Sequence, residues 1–377
     1  MSPVPDPVQI AGDLIRLNTI NPPGEEEAAA RYLGKMLEGH GLSTAYHQLE
    51  ERRAGLVATI PGRGGGQLPL VFTGHLDTVP LGSQAWSFDP HCGTLEQGRL
   101  LGRGSADMKS GVAALAWAAA RLAQEPLGPS DLIFVFTAAE ETGCQGAEQM
   151  AANGGLPARA GGLLVAEPTD NLPFLGHKGA LWLEAEAKGK SAHGSMPDMG
   201  DNAIYKAARA AAGLEEFFAA APAHPQLGKP TLNVGTFNGG SKINMVPDYA
   251  GFQIDLRTVP GIDHNELFDK LAQKVGEDIS LKRLIDLPGF LTPAEDPWVA
   301  RVLALLERMQ GAPPQPGYVN YFTDAAVLLP AMGAPPAVIL GPGLPGQAHQ
   351  TDEFCVADKI QEAAELYLAI GRQWQSQ

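Results

Sequence analysis

The chain has 377 residues and carries 27 basic against 42 acidic side chains, a formal charge of −15. That balance argues against a nucleic-acid partner and against an anionic membrane surface. The length suits two domains rather than one core. MSPVPDPVQIAGDLIRL has neither the basic nor the apolar segment of a signal peptide, and the longest helix-like apolar stretch, 111–123, is too short to span a bilayer. Cys92, Cys144 and Cys355 are odd in number, far apart and free of any CxxC pair, which points to reduced thiols in a cytoplasmic protein.

Residues 7–18 and 25–39 have amphipathic helical patterns, separated by the breaker Asn21-Pro22-Pro23-Gly24. Short apolar runs of strand length follow at 55–60, 68–74, 131–137, 161–166 and 336–340, with helical patterns at 110–123 and 145–152 between some of them. Continuous apolar strands alternating with helices predict an α/β domain, a mostly parallel sheet flanked by helices. The middle of the chain differs. Segments 180–190 and 249–257 alternate apolar and polar residues, as in a sheet with one wet face. Helical candidates at 202–220 and 264–279 accompany them. The reading is a catalytic domain in two parts, 1–179 and 290–377, with an α+β sandwich inserted at 180–289. Further helices are expected at 297–310 and 357–374.

The charges sit where these runs stop. LPLVFTG leads into His75 and Asp77, DLIFVFTAA into Glu140 and Glu141, GGLLVA into Glu167, and PAVIL through GPGLPGQA into His349. Asp107 lies in the loop LGRGSADMKSG. Taken singly, Asp107 could serve only as a helix N-cap and Glu140-Glu141 only as a solvated loop. At the carboxyl ends of parallel strands all of them would converge on one crevice. Crowded carboxylates raise one another's pKa, and divalent cations remove that conflict. Histidine and carboxylate donors suit two Zn²⁺ ions, with Co²⁺ or Mn²⁺ possible by geometry. Asp77 is expected to accept from the second ring nitrogen of His75 and fix its tautomer. Adjacent glutamates point differently, so one of the Glu140-Glu141 pair can bind metal while the other acts as general base.

GHLDTVP, GRGSADMKSG, AAEETG, AEPT and AHQTDE, in this order, resemble the M20 family of dinuclear zinc amidohydrolases, over nearly the whole chain. The resemblance implies a zinc-exopeptidase-like catalytic domain and an inserted dimerisation domain. It implies His75 and Glu167 on one zinc, Glu141 and His349 on the other, and Asp107 bridging. It makes Glu140 the general base and Asp77 the partner of His75, and the family often has a cis peptide after the bridging aspartate, here Asp107–Met108. KGKSAHGSMP resembles the loop whose histidine, here His193, reaches the partner subunit's active site in a homodimer and donates to the developing oxyanion. NVGTFNGGSKINMVPD and DLRTVPG resemble segments carrying a substrate-binding Asn and Arg, here Asn244 and Arg257, and Thr323 stands where the family supplies another polar contact.

GHKG, VNYFTDAA and GPGLPGQAHQTDEF look closest to acetylornithine deacetylases. The implied activity is cleavage of the amide of a small N-acyl amino acid. A succinyl-diaminopimelate desuccinylase and a di- or exopeptidase are the enzyme alternatives. A metal-dependent binding protein is the alternative outside the enzymes. G-x-S-x-G, H-E-x-x-H and G-x-x-x-x-G-K-[ST] are absent from the sequence.

Overall fold

The computed structural model describes residues 3–376. It forms two units, one over Met1–Gly176, Leu291–Gly317 and Thr323–Gln377, the other over His177–Phe290 and Tyr318–Phe322.

In the first unit the strands Leu132–Thr137, Leu70–His75, Gly162–Val165 and Ala337–Ile339 lie side by side, all parallel. Every residue of Leu70–His75 and Leu132–Thr137 is buried, which is why both read as unbroken apolar runs. Phe72 and Phe134 stack with centroids 4.8 Å apart. Arg53–Ile60 and Ser43–Glu50 extend the sheet antiparallel on one side, and Phe174–His177 pairs antiparallel on the other. The chain is mixed α/β, with a central, mostly parallel sheet flanked by helices.

Two helices of this unit begin where the sequence supplies a cap. Asp6 accepts from Val8 N–H ahead of Pro7–Arg16, and Asp296 accepts from Trp298 and Val299 N–H ahead of Pro297–Gln310, each with proline in the first turn. The helix Lys109–Leu122 is buried at every position except Arg121, with Pro7–Arg16 and Ala357–Gln375 packed against it. A Cβ on Gly111 would fall 2.1 Å from the carbonyl oxygen of Ala166. Only glycine lets the start of this helix abut the end of Gly162–Val165, and so brings Asp107 close to Glu167.

In the second unit Thr231–Gly239, Tyr249–Thr258, Gly179–Lys188 and Ile279–Leu287 form an antiparallel sheet in that order. Ala203–Gly213 and His264–Val275 pack on it around Leu181, Leu183, Phe252, Ile254 and Leu271. The helix expected over 202–220 stops at Gly213; Phe217 and Phe218 still pack against this core, but from turns. The one expected over 264–279 stops at Val275, where Gly276 turns to φ 83°, and Ile279 opens a strand instead. Among the described residues, no helix is long and apolar enough to cross a membrane.

Candidate metal centre

The parallel register sets the level of the site. His75 pairs with Thr137, and Thr73 with Val165, so the residues that follow these strands emerge together. His75 Nε2 lies 3.1 Å from Asp107 Oδ1 and 3.8 Å from Glu167 Oε1. His349 Nε2 lies 3.4 Å from Asp107 Oδ2 and 3.2 Å from Glu141 Oε2. The two oxygens of Asp107 are therefore divided between two imidazoles. His75, Asp107 and Glu141 bring donor atoms within 4.8 Å of one another, and so do His75, Glu140 and Glu167. The peptide Asp107–Met108 is cis.

Electrostatics follows from crowding in a dry place. Burial pushes Glu140 and Glu167 well above the carboxylate range, and Glu141 above it, with neighbouring carboxylates adding to the rise. Burial would raise Asp107 too, but hydrogen bonds from His349 and His75 outweigh it and hold Asp107 low. Hydrogen bonds to Asp107 and Glu141 lift His349 to about 10. Burial disfavours the charged His75, yet Glu167 and Asp107 raise it well above its usual range. The two imidazoles thus stand against the carboxylates that crowd the site. Among the described residues, none gives Glu141 Oε1, which is buried, a hydrogen-bond partner. An oxygen left bare in such a cluster, with imidazole and carboxylate donors around it, is what a pair of divalent ions would satisfy.

Asp77 differs from expectation. His75 Nδ1 donates to the main-chain carbonyl of Asp77 at 3.0 Å, while the nearest carboxylate oxygen is 3.6 Å away. A carbonyl can only accept, so the proton is fixed on Nδ1 and Nε2 faces the cluster all the same. The carboxylate is engaged elsewhere. It accepts from Glu140 N–H at 3.1 Å, Glu141 N–H at 3.2 Å and Asn21 Nδ2 at 2.9 Å. It steadies the turn of the two glutamates rather than the imidazole.

Several residues of the site escaped the sequence reading. Glu353, wholly buried, accepts from the N–H groups of Gly104, Ala106 and Asp107 and pairs with Arg103 at 2.6 Å. Arg103 also donates to the carbonyls of Gln350 and Pro80. The loop of Asp107 is thereby tied to the loop of His349. Asp324 accepts from the Thr137 hydroxyl, and burial pushes it up to about 6. The only available signal was a pair of charges, Arg103 and Glu353, inside the two motifs that also carry ligands. Cys144 is buried and its thiol pushed well up by that burial, in keeping with packing.

The remaining expected residues are placed as follows. Thr323 belongs to the first unit, is fully buried and accepts from Ala325 N–H. In the second unit His193 pairs with Met245 across a short ladder, next to Asn244, whose carbonyl accepts from Gly194 N–H. His193 Nδ1 accepts from Ser195 N–H, which leaves the ring proton on Nε2. Arg257 is held by Asp255 through Nε and Nη2 and lies over the rings of Trp182 and Phe322.

Residues 71–373 match the model of peptidase family M20/M25/M40. The chain belongs to this family. It is 29% identical to a probable succinyl-diaminopimelate desuccinylase of Staphylococcus epidermidis, over 96% of each chain. It is 31% identical to an acetylornithine deacetylase of Proteus mirabilis, over 90% of this chain and 88% of that one. Among solved structures, an M20-family metallo-carboxypeptidase from Sulfolobus solfataricus superposes with a TM-score of 0.82 at 18% identity, covering 99% of this chain and 100% of that one. A dinuclear metal-binding M20 peptidase from Bacillus subtilis gives 0.73 at 15% identity, with 97% of each covered. As an M20 member the protein is a hydrolase of amide bonds.

Proposed function

We propose that this M20 hydrolase is a dinuclear, metal-dependent deacylase of small N-acyl amino acids, acetylornithine-like by preference. The observation that carries the reading is the division of Asp107 between His75 and His349, with Glu141 and Glu167 alongside. His75, Glu167 and Asp107 would hold one ion, and His349, Glu141 and Asp107 the other. The mixed donors favour Zn²⁺, with Co²⁺ or Mn²⁺ as substitutes. When bound, such ions polarise an amide carbonyl and lower the pKa of water.

The chain's residues supply the rest. Glu140, in reach of His75 and Glu167 and itself buried, takes a proton from the attacking water and gives it to the leaving amine nitrogen. Asp77 holds Glu140 and Glu141 by their amides, so the base and its neighbouring ligand keep their separation. His193, contributed by the second copy of a homodimer, donates its Nε2–H to the oxygen of the acyl group as charge develops there. Asn244, Arg257 and Thr323 are the candidate substrate contacts; Arg257 would have to loosen its hold on Asp255 to take a substrate carboxylate.

A homodimer is supported by features of the second unit alone. Thr231–Gly239 is an edge strand that carries the exposed Phe237, and the exposed Tyr205, Ile243 and Met245 line one depression with Gly239 at the strand's end. A cytoplasmic site is in keeping with the three free cysteines.

A desuccinylase is the second reading, since relatives of both names match over most of the chain. The test is a panel of N-acetyl and N-succinyl amino acids beside dipeptides, assayed with Zn²⁺ and Co²⁺. Preference for the N-acetyl compounds supports the proposal. Preference for N-succinyl compounds or dipeptides replaces the substrate, and bound metal without turnover on the whole panel would favour a metal-binding protein.

A further inference from the structure

The turn carrying Glu140 and Glu141 is held from behind by an ion pair with no part in the proposed chemistry. Glu26 has a wholly buried side chain, and that of Arg53 is only 11% exposed. Arg53 donates from Nη2 to Glu26 Oε1 at 2.7 Å and from Nε to Oε2 at 3.0 Å, a two-pronged grip. The same Oε1 accepts the N–H of Ala139 at 3.2 Å. Ala139 directly precedes the two glutamates and sits at φ 59°, in the left-handed region that alanine seldom enters.

Three separate elements meet at this point. Glu26 stands at the start of the helix Glu27–Gly39. Arg53 opens the strand Arg53–Ile60, which pairs with the strand Leu132–Thr137 that runs into the turn. Gly24 lies against the guanidinium so closely that a Cβ there would fall 2.4 Å from Nε. The carboxylate therefore has almost no freedom, and neither has the amide it holds. A buried ion pair is poor value as a source of stability, because apolar residues of similar volume do as well or better. What it can supply is a fixed acceptor at a chosen place.

We propose that Glu26, locked by Arg53, is a positioning residue for the Glu140–Glu141 turn. Together with Asp77 it fixes three successive amides, 139 to 141, from two sides. The inference deepens the reading of Glu140 as base and rests on it.

The full chain is compared with Glu26→Gln, which keeps an oxygen for Ala139, with Glu26→Ala, and with a Glu26→Met, Arg53→Met double variant that removes the acceptor while keeping the volume filled. Val302→Ala, in the core of the helix Pro297–Gln310, controls for lost stability alone. In metal-free protein, amide exchange over 138–142 should quicken at least about tenfold in Glu26→Ala and the double variant and stay near wild type in Glu26→Gln and Val302→Ala. Co²⁺ titration should show affinity weakened by about 10- to 100-fold, with kcat lowered in step and KM little changed. Unchanged exchange over 138–142 in the double variant overturns the proposal. So does faster exchange with unaltered kcat and Co²⁺ affinity. Should the wild-type chain fail on every amide offered, the Glu140 reading falls by itself, while exchange and Co²⁺ binding still decide whether Glu26 holds the turn.

Discussion

Arg103 and Glu353 form a salt bridge of 2.6 Å that is almost wholly out of water, across 250 positions of sequence. Because the same carboxylate also accepts three amides of the Asp107 loop, its loss strands the Arg103 charge and leaves three N–H donors without their acceptor. Glu353→Ala should cost about 3–5 kcal/mol, the usual penalty for breaking a buried pair. Glu353→Gln, which keeps the acceptor oxygens in part, should cost less. Urea unfolding of the three proteins checks this ordering.

Glu140→Gln removes the proposed base while leaving the shape of the cluster. Turnover should fall by about 10²–10⁴-fold, with metal content by elemental analysis unchanged. Glu140→Gln that keeps wild-type turnover would mean the proton travels by another route.

Metal removal should soften the first unit, since buried carboxylates lose the charges that oppose their repulsion. Added Zn²⁺ at a hundredfold over its Kd should return roughly 2.7 kcal/mol for each ion bound, seen as a rise in Tm. Asp107→Asn, which weakens the proposed shared donor, should largely abolish that rise. Scanning calorimetry with and without chelator is the measurement.

His177, in the second unit, gives a pH dependence of its own. Burial pulls its pKa down to about 4, and its Nε2 is buried without a partner among the described residues. The unfolded chain, with an ordinary histidine near 6.5, binds the proton first. Between pH 6.5 and pH 4 the unfolded state is thus favoured as pH falls, and by pH 5 about 2 kcal/mol is lost through this residue. Below pH 4 the loss stops growing. His177→Gln should flatten this part of the curve, so wild type and variant converge from pH 7 to pH 5 in denaturant titrations.

Phe237→Glu with Tyr205→Glu places charge on the exposed side of the second unit. Sedimentation should show a dimeric wild type and a monomeric variant of unchanged helix content. A wild type that sediments as a monomer at assay concentration would remove His193 from the scheme.

Two of the candidate donors are legible in the sequence because each directly follows an unbroken apolar run, and such runs have few structures open to them. They are His75 after LPLVFTG and Glu167 after GGLLVA. Strands with a wet side were harder. Ser43–Glu50 and Thr231–Gly239 lie at sheet edges and bury little, so they show no apolar run to notice. In Ile279–Leu287 burial alternates, yet the helix expected over 264–279 runs across Gly276, Glu277 and Asp278 to the first residue of this strand and leaves the rest of it unassigned. The carboxylate of Asp77 is turned from His75 by two main-chain amides more than 60 residues away and by the Asn21 side chain, and main-chain amides leave no mark in a sequence. The pairs Glu26–Arg53 and Arg103–Glu353 were invisible for a similar reason: nothing local says which distant charge will meet which.

The helix that starts two residues after Asp107 has almost no outward face. Every neighbour it could lean on is already touching it, so it cannot slide or tilt to suit an arriving guest. The spacing of the donors near its first turn is accordingly as rigid as the interior itself. An engineer seeking a new acyl preference would do best to leave this rod alone and redraw the loops, because altering its small residues would detune every substrate at once.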